Sequence, residues 1–224
     1  MLIVEMFASL QGEGMLAGVP SFFIRTSGCN LRCTWCDTPY TSWQPEGRRL
    51  RVAEIVGHAA ASLCRHVVVT GGEPLLQREI GRLTAALVAA GHHITVETAG
   101  TLAPAFTCDL LSVSPKTGNS DPSGSWRERH RALRADVAPL AALLTAHPEH
   151  QLKFVVQGES DLDEILFLVA RINARRERVL LMPEGRTAAE VAARAPAVAR
   201  LCLLHGLRFS PRLQLDLFGP GRGV

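Results

Sequence analysis

Cys29, Cys33 and Cys36 stand in one short stretch, GCNLRCTWCDTPYTSW, and make up half of the six cysteines in the chain. Thiols at C-x3-C-x2-C spacing in a single loop can converge on one face of an iron–sulfur cube and leave the fourth iron without a protein ligand. A structural zinc site is one alternative, but it needs four ligands, usually as two separated pairs. The remaining cysteines supply no second pair: Cys64 ends a helical stretch, Cys108 precedes a strand-like one and Cys202 lies in ARLCLLHG, so all three read as small core residues. A plain electron-transfer cluster is the other alternative, and it normally uses four cysteines. The spacing favours an open-site 4Fe–4S cluster over both. A second motif, VVVTGGEP, ends in Gly71-Gly72-Glu73-Pro74. Glycines permit close backbone approach, and exposed carbonyls with a glutamate can accept from an ammonium. Alone, such a turn says little; its place at the next strand edge after the cysteine loop is what gives it weight.

Two further residue choices bear on chemistry. Arg25 interrupts the apolar run SFFIRTS, where a guanidinium calls for an anionic partner. Of the 24 basic residues only Lys116 and Lys153 are lysine, and a compact ammonium is not interchangeable with arginine. The histidines show no ligand spacing, and His92-His93 reads as a strand start.

These groups need a scaffold. Short β-branched runs at SFFIRTS, HVVVTGG, HITVETAG, LLSVSP, QLKFVVQ, RVLLMPEG and LRFSP read as buried strands. Helical segments such as VAEIVGHAAASLC, LLQREIGRLTAALVAAG, LDEILFLVARINARR and AAEVAARAPAVARLCLLHG lie between most of them. Alternation of this kind means an α/β chain with a parallel sheet under helices. About six βα units fit a shortened, partial (β/α)6-type barrel better than a complete one. A Rossmann sheet lacks its G-x-G-x-x-G here. The cysteine loop follows the first clear strand, so it belongs at the C-terminal edge of the sheet, where active sites collect. Residues 115–130, PKTGNSDPSGSWRERH, read as a mobile polar loop. Neither a domain boundary nor a repeat is visible, which predicts one domain over 1–224.

Composition narrows the class. Hydrophobic residues make up 47% and charged residues 20%, the balance of a folded globular chain. No apolar run approaches a membrane span, and MLIVEMFASLQGEG has no basic n-region or cleavage site, so a cytoplasmic location is expected, with no membrane partner. In a reducing compartment, clustered cysteines point to metal or catalysis rather than disulfides. The net charge of +3 is dispersed, and the clusters GRRLR and RINARRER lack interleaved aromatics, which argues against nucleic acid.

The cysteine loop with Trp35 and the GGE edge together resemble the radical S-adenosylmethionine (SAM) enzymes. SLQGEG at 9–14, FFIRTSGCNLRCTWCDT, VTGGEPLLQ, VETAGT and SVSPK narrow the resemblance to the 7-carboxy-7-deazaguanine synthase family. It runs to about residue 118 and resumes weakly at LMPEG and LFGPGRGV. The resemblance implies a lyase of queuosine and deazapurine biosynthesis that converts 6-carboxy-5,6,7,8-tetrahydropterin to 7-carboxy-7-deazaguanine with loss of ammonia. SAM would be used catalytically: the reduced cluster cleaves it to a 5′-deoxyadenosyl radical, which takes hydrogen from the carbon bearing the carboxylate. No side chain is then a catalytic group in its own right.

The implied roles follow by position. Cys29, Cys33 and Cys36 hold the cluster. Trp35, Cys36, Asp37, Gly71, Gly72, Glu73, Ser114, Pro115, Lys116 and Met182 contact SAM, with Met182 equally readable as core. Leu10, Gln11, Gly12, Glu13, Arg25 and Thr70 bind substrate, Arg25 as carboxylate anchor. Glu13 reads as an amine acceptor or as a turn residue. Thr38 alone reads as a turn residue, and the resemblance gives it magnesium, whose octahedron substrate oxygens and water would complete. A homodimer and a reducing partner such as flavodoxin are also implied.

Two rivals stand beside this reading. A glycyl-radical-enzyme activase shares the cysteine loop and a short barrel, but SLQGEG with Arg25 and Thr38 suits a small anionic ring. A non-catalytic iron–sulfur sensor would need neither the GGE edge nor an open iron.

Overall fold

The computed structural model describes residues 1–223. Strands form at Leu2–Leu10 (β1), Pro20–Thr26 (β2), Arg48–Arg49 (β3), His66–Gly71 (β4), His93–Thr98 (β5), Leu110–Val113 (β6), His150–Val156 (β7), Val179–Pro183 (β8) and Arg208–Phe209 (β9). They join in one sheet of order β3-β1-β2-β4-β5-β6-β7-β8-β9. From β2 through β9 neighbouring strands run parallel, whereas β1 pairs antiparallel with both β2 and β3. The two ends of the sheet, β3 and β9, do not meet, so the barrel is partial, as expected.

Side chains alternate across this sheet with period two. Ile24, Val67, Val69, Ile94, Val96, Leu111, Val113, Leu152, Phe154, Val156 and Leu181 belong to the core packed under the helices. Burying each such side chain contributes about 1.5–3 kcal/mol relative to leaving it exposed. The residues between them, Arg25, Thr70, Glu97, Ser112, Gln151 and Lys153, face the concave side. The same strands therefore carry an apolar outer face and a polar inner one.

The covering helices are Val52–Ala61 (α2), Ile80–Ala89 (α3), Arg127–Ala135 (α4), Ala138–Ala146 (α5), Leu162–Arg171 (α6) and Ala188–His205 (α7), with short helices at Pro39–Ser42 (α1) and Leu213–Phe218 (α8). α7 shows why the boundaries fall where they do. Thr187 Oγ1 accepts from Glu190 N at 3.2 Å while Glu190 Oε2 accepts from Thr187 N at 3.1 Å, and Gly206 ends the helix in the left-handed region at φ 64°.

Two expectations need correction. The stretch 115–130 is not an open loop: 3-10 turns at Gly118–Ser120 and Gly124–Trp126 lead into α4, and Ser120 and His130 are fully buried. The helix expected from Leu75 begins only at Ile80, because Pro74–Leu76 is a separate 3-10 turn. No helix covers the connection from β5 to β6, while β1, α4, α5 and α8 were not anticipated. Among the described residues no helix is long and apolar enough to cross a membrane.

Candidate active site

The cysteine loop leaves β2 at Gly28, whose φ of 93° favours glycine. Two main-chain bonds clamp this exit to the GGE turn: Gly72 N donates to Thr26 O at 3.1 Å and Glu73 N to Gly28 O at 2.8 Å. A Cβ on Gly71 would lie 2.2 Å from Thr26 O, and one on Gly72 2.3 Å from Gly28 O. The glycines are thus required by protein packing on protein. Ser42 and Trp43, just beyond the loop, brace it from the other side: Ser42 Oγ lies 3.3 Å from Cys36 Sγ, and Trp43 Nε1 donates to Cys33 O at 3.1 Å.

All three cysteines are free thiols, Cys33 buried and the other two half-buried. Burial, aided by the Glu73 carboxylate, pushes the Cys29 thiol up to about 11, and burial pushes Cys33 up to about 12. Bound iron reverses that preference, because a coordinating thiol is deprotonated outright. The donor set fits such a group: three soft sulfurs from one loop, with Leu31 N 3.4 Å from Cys29 Sγ and the Ser42 hydroxyl at Cys36. Among the described residues no three His, Cys, Asp or Glu side chains converge on a single ion.

Glu73 is fully buried, and its carboxylate accepts from Thr98 Oγ1 at 2.8 Å, Ala99 N at 2.9 Å and Leu75 N at 3.1 Å. Burial raises its pKa against the pull of those bonds. What the turn offers a ligand is therefore backbone, with the carboxylate spent on holding β5 to β4. Ser114, Pro115 and Lys116 follow β6. Lys116 Nζ donates to Ser114 O and Oγ at 2.7 Å each and sits 5.6 Å from the Trp35 ring centre. Trp35 Nε1 donates to Asn119 Oδ1 at 3.1 Å. Met182 is buried on the concave side of β8 and does not line the cavity described next.

A cavity of about 440 Å³ opens over the strand ends beside the cysteine loop. Leu10, Gln11, Gly12, Glu13, Arg25 and Thr70 all line it, together with Cys36, Asp37, Thr38 and Gly71. The six residues expected around one ligand thus meet at one hollow. Their contacts are directional. Arg25 Nε donates to Glu5 Oε1 at 2.6 Å, so the anionic partner its position demanded lies within the chain. Among the described residues no hydrogen bond uses its two terminal nitrogens. Tyr40 also donates to Glu5 Oε1, at 3.0 Å. Glu97, missed in the sequence, organises the floor: it accepts from Gln11 Nε2 at 3.1 Å and from Thr70 Oγ1 at 2.8 Å. Thr38 Oγ1 has only weak neighbours, Thr41 Oγ1 at 3.4 Å and Cys36 Sγ at 3.9 Å.

Glu13 is no mere turn residue. Lys153 Nζ donates to its Oε2, while Oε1 accepts from Gln214 Nε2 at 2.8 Å and Arg212 Nε at 3.1 Å. Burial alone would raise its pKa, but the two cations hold it far below the carboxylate range. Gly219, Pro220, Gly221 and Arg222 close the outer rim, with Arg222 stacked 3.7 Å from the Tyr40 ring centre and paired with Glu46 at 2.9 Å. Lys153 and Glu97 had a visible signal, a charged residue at an alternate position of an apolar strand. Arg212 and Gln214 had none.

Residues 23–138 match the Radical SAM superfamily. A relative from Halobacterium salinarum, named 7-carboxy-7-deazaguanine synthase, is 47% identical over 96% of this chain and 90% of its own length. Another of that name, from Rhodopirellula baltica, is 42% identical over 100% of this chain and 89% of its own length. Among solved structures, QueE from Escherichia coli aligns with a TM-score of 0.67 at 25% identity, covering 93% of this chain and 92% of that one. Streptococcus suis SuiB bound to precursor peptide SuiA shares the fold, with a TM-score of 0.57 at 13% identity over 84% of this chain and 47% of that one.

Proposed function

The chain belongs to the 7-carboxy-7-deazaguanine synthase family of the radical SAM superfamily, and we propose that it converts 6-carboxy-5,6,7,8-tetrahydropterin into 7-carboxy-7-deazaguanine with loss of ammonia. Membership makes it a radical SAM enzyme with a 4Fe–4S cluster and SAM. The observation that carries the substrate is the cavity: at about 440 Å³ it has the size of a small-molecule site, and polar groups from three strands and from the segment after β1 converge in it beside Cys36. A glycyl-radical activase, which must admit a polypeptide, is not favoured.

The residues divide the work. Cys29, Cys33 and Cys36 hold the cluster. Trp35, Asp37, the backbone of the GGE turn, Ser114-Pro115-Lys116 and Met182 receive SAM. When bound, these groups supply an electron and a carbon-centred radical able to take a hydrogen atom from substrate. Arg25 offers its free terminal nitrogens to the substrate carboxylate, and Glu5 fixes the plane of the fork. Glu97 sets the rotamers of Gln11 and Thr70, so both reach the ring already oriented. Glu13, kept ionised by Lys153 and Arg212, accepts from the ring's amino group. Leu10 and Gly12 form the adjoining wall. Thr38 would hold magnesium through its hydroxyl oxygen, a single protein contact that would need substrate oxygens and water beside it. We further propose a homodimer, a flavodoxin-type electron donor, a cytoplasmic setting and one catalytic domain over 1–224.

The deciding experiment is anaerobic. The cluster is reconstituted and reduced, SAM, magnesium and 6-carboxytetrahydropterin are added, and product mass is followed with SAM consumption. 7-Carboxy-7-deazaguanine with SAM largely unspent supports the proposal. Deoxyadenosine without that product overturns the substrate and returns the activase to consideration.

A further inference from the structure

Arg212 lies between β9 and α8, outside the cysteine loop, the GGE turn and SLQGEG, yet it is only 6% exposed. Its guanidinium reaches three separate segments. Nε donates to Glu13 Oε1 at 3.1 Å, Nη2 to Asp37 Oδ2, and Nη1 to Gly185 O. These acceptors follow β1, the third cysteine and β8 respectively. A planar fork holds these three acceptors from three different nitrogens in fixed directions, whereas a lysine ammonium offers all its donors from one nitrogen.

The two carboxylates depend on it unequally. Glu13 has Lys153 and Gln214 as well, so its ionisation and placement are supported from other sides. Asp37 has no other side-chain partner among the described residues, and its side chain is half exposed. Without Arg212 that carboxylate would be free to swing in solvent. Both carboxylates line the same cavity, Glu13 on the substrate side and Asp37 directly after Cys36 on the cofactor side.

We infer that Arg212 is a positioning residue that locks Glu13 and Asp37 in register, and so fixes the distance between bound substrate and bound SAM. The inference rests on the proposed reaction. Hydrogen transfer needs reacting atoms about 3–3.5 Å apart, and a misplacement of about 1 Å can cost on the order of 100-fold in rate. A loose Asp37 should therefore waste SAM before it abolishes turnover.

The test compares the wild-type holoenzyme with Arg212→Lys and Asp37→Asn. Arg212→Lys is expected to load iron as the wild type does, to raise KM for the carboxypterin by about tenfold, and to release deoxyadenosine in excess of product. Asp37→Asn leaves the Glu13 contacts intact and lies at the surface, so it remains informative if the arginine variant fails to fold. It should show the excess deoxyadenosine with KM unchanged. Amide hydrogen exchange on the iron-free chain adds a readout independent of activity: Arg212→Lys should quicken exchange in both 11–15 and 34–38. Exchange that rises in 11–15 alone, or a wild-type ratio of deoxyadenosine to product in Asp37→Asn, overturns the inference. If the wild type makes no 7-carboxy-7-deazaguanine, the reaction assignment fails, while the exchange result still decides whether Arg212 couples the two loops.

Discussion

His130 should make the stability of this protein fall with acid. The ring is fully buried on α4, where Nδ1 accepts from Arg32 N at 3.1 Å, inside the cysteine loop. Nε2 lies 2.9 Å from Ser120 Oγ, and that hydroxyl donates to Thr117 O at 2.6 Å, so the network assigns the neutral ring with its proton on Nε2. A second proton would set Nδ1–H against the Arg32 N–H. Burial is the main cause that lowers the pKa to about 4; Arg134 and Lys116 add to it, and Asp121 opposes it. Asp121 is already engaged by Arg131 at 2.6 Å and Arg134 at 2.7 Å.

The unfolded chain takes up this proton near the ordinary histidine pKa of about 6.5, while the folded chain refuses it down to about 4. Stability is therefore whole above pH 6.5, is lost as pH falls through that window, and levels off below it. Integrated from pH 7.5 to 4.5, the loss is about 2–3 kcal/mol. His130→Gln keeps an acceptor for Arg32 N and a donor for Ser120 but cannot titrate. Urea unfolding of the iron-free, reduced chain is measured at both pH values for both proteins, so that acid release of a cluster contributes nothing. Other histidines whose pKa burial lowers, such as His66 and His147, are common to both and cancel. The wild type should lose about 2–3 kcal/mol more than the variant. Equal pH dependence in the two would refute the reasoning.

Gly72→Ala sets a Cβ 2.3 Å from Gly28 O, and both are backbone-constrained, so the cysteine loop must shift; iron bound per chain after reconstitution should drop, and full loading would contradict this. Arg25→Lys retains a charge beside Glu5 but loses the fork, so KM for the carboxypterin should rise about 10–100-fold while SAM binding stays as it was; an unchanged KM would remove Arg25 as the anchor. Lys153→Met strips one of two cations from buried Glu13 and should cost about 3 kcal/mol in urea unfolding at neutral pH, at the low end for a broken buried pair because Arg212 remains. A loss below about 1 kcal/mol would mean that Arg212 and Gln214 suffice to hold Glu13.

What the sequence revealed and what it hid follow from how far apart the cooperating residues lie. The cysteine loop and the GGE turn are local, and each announces itself by residue type and spacing. The sheet was legible because buried parallel strands are dense in β-branched residues. α4 was not, because RERHRALRA has almost no apolar face and is held by ion pairs from Arg131 and Arg134 to Asp121. The polar stretch before it looked mobile for the same reason. Yet Thr34 N donates to Ser120 O at 3.0 Å and Arg32 N to His130, which pins it to the cysteine loop. Glu13 read as an amine acceptor or as a turn residue, and its buried ion pairs were hidden because the partners, Lys153 and Arg212, stand far along the chain. No local pattern can show that.

The charges around the cavity also say how a carboxylate must enter it. Four arginines line it: Arg25, Arg186, Arg212 and Arg222. Arg212 spends Nε, Nη1 and Nη2 on Glu13, Gly185 and Asp37. Arg222 spends both terminal nitrogens on Glu46, at 2.9 and 3.2 Å, and Arg186 gives Nη2 to Thr34 O at 3.2 Å. Lys153 is taken by Glu13. Of these four, only Arg25 keeps both terminal nitrogens unspent among the described residues, while its third, Nε, is fixed by Glu5. An incoming carboxylate that displaced Arg212 or Lys153 would leave the buried Glu13 short of a cation, whereas at Arg25 it meets two parallel donors already oriented. The pairs on Glu13 thus disfavour an approach to Arg212 or Lys153, and the fork with both terminal nitrogens open favours Arg25.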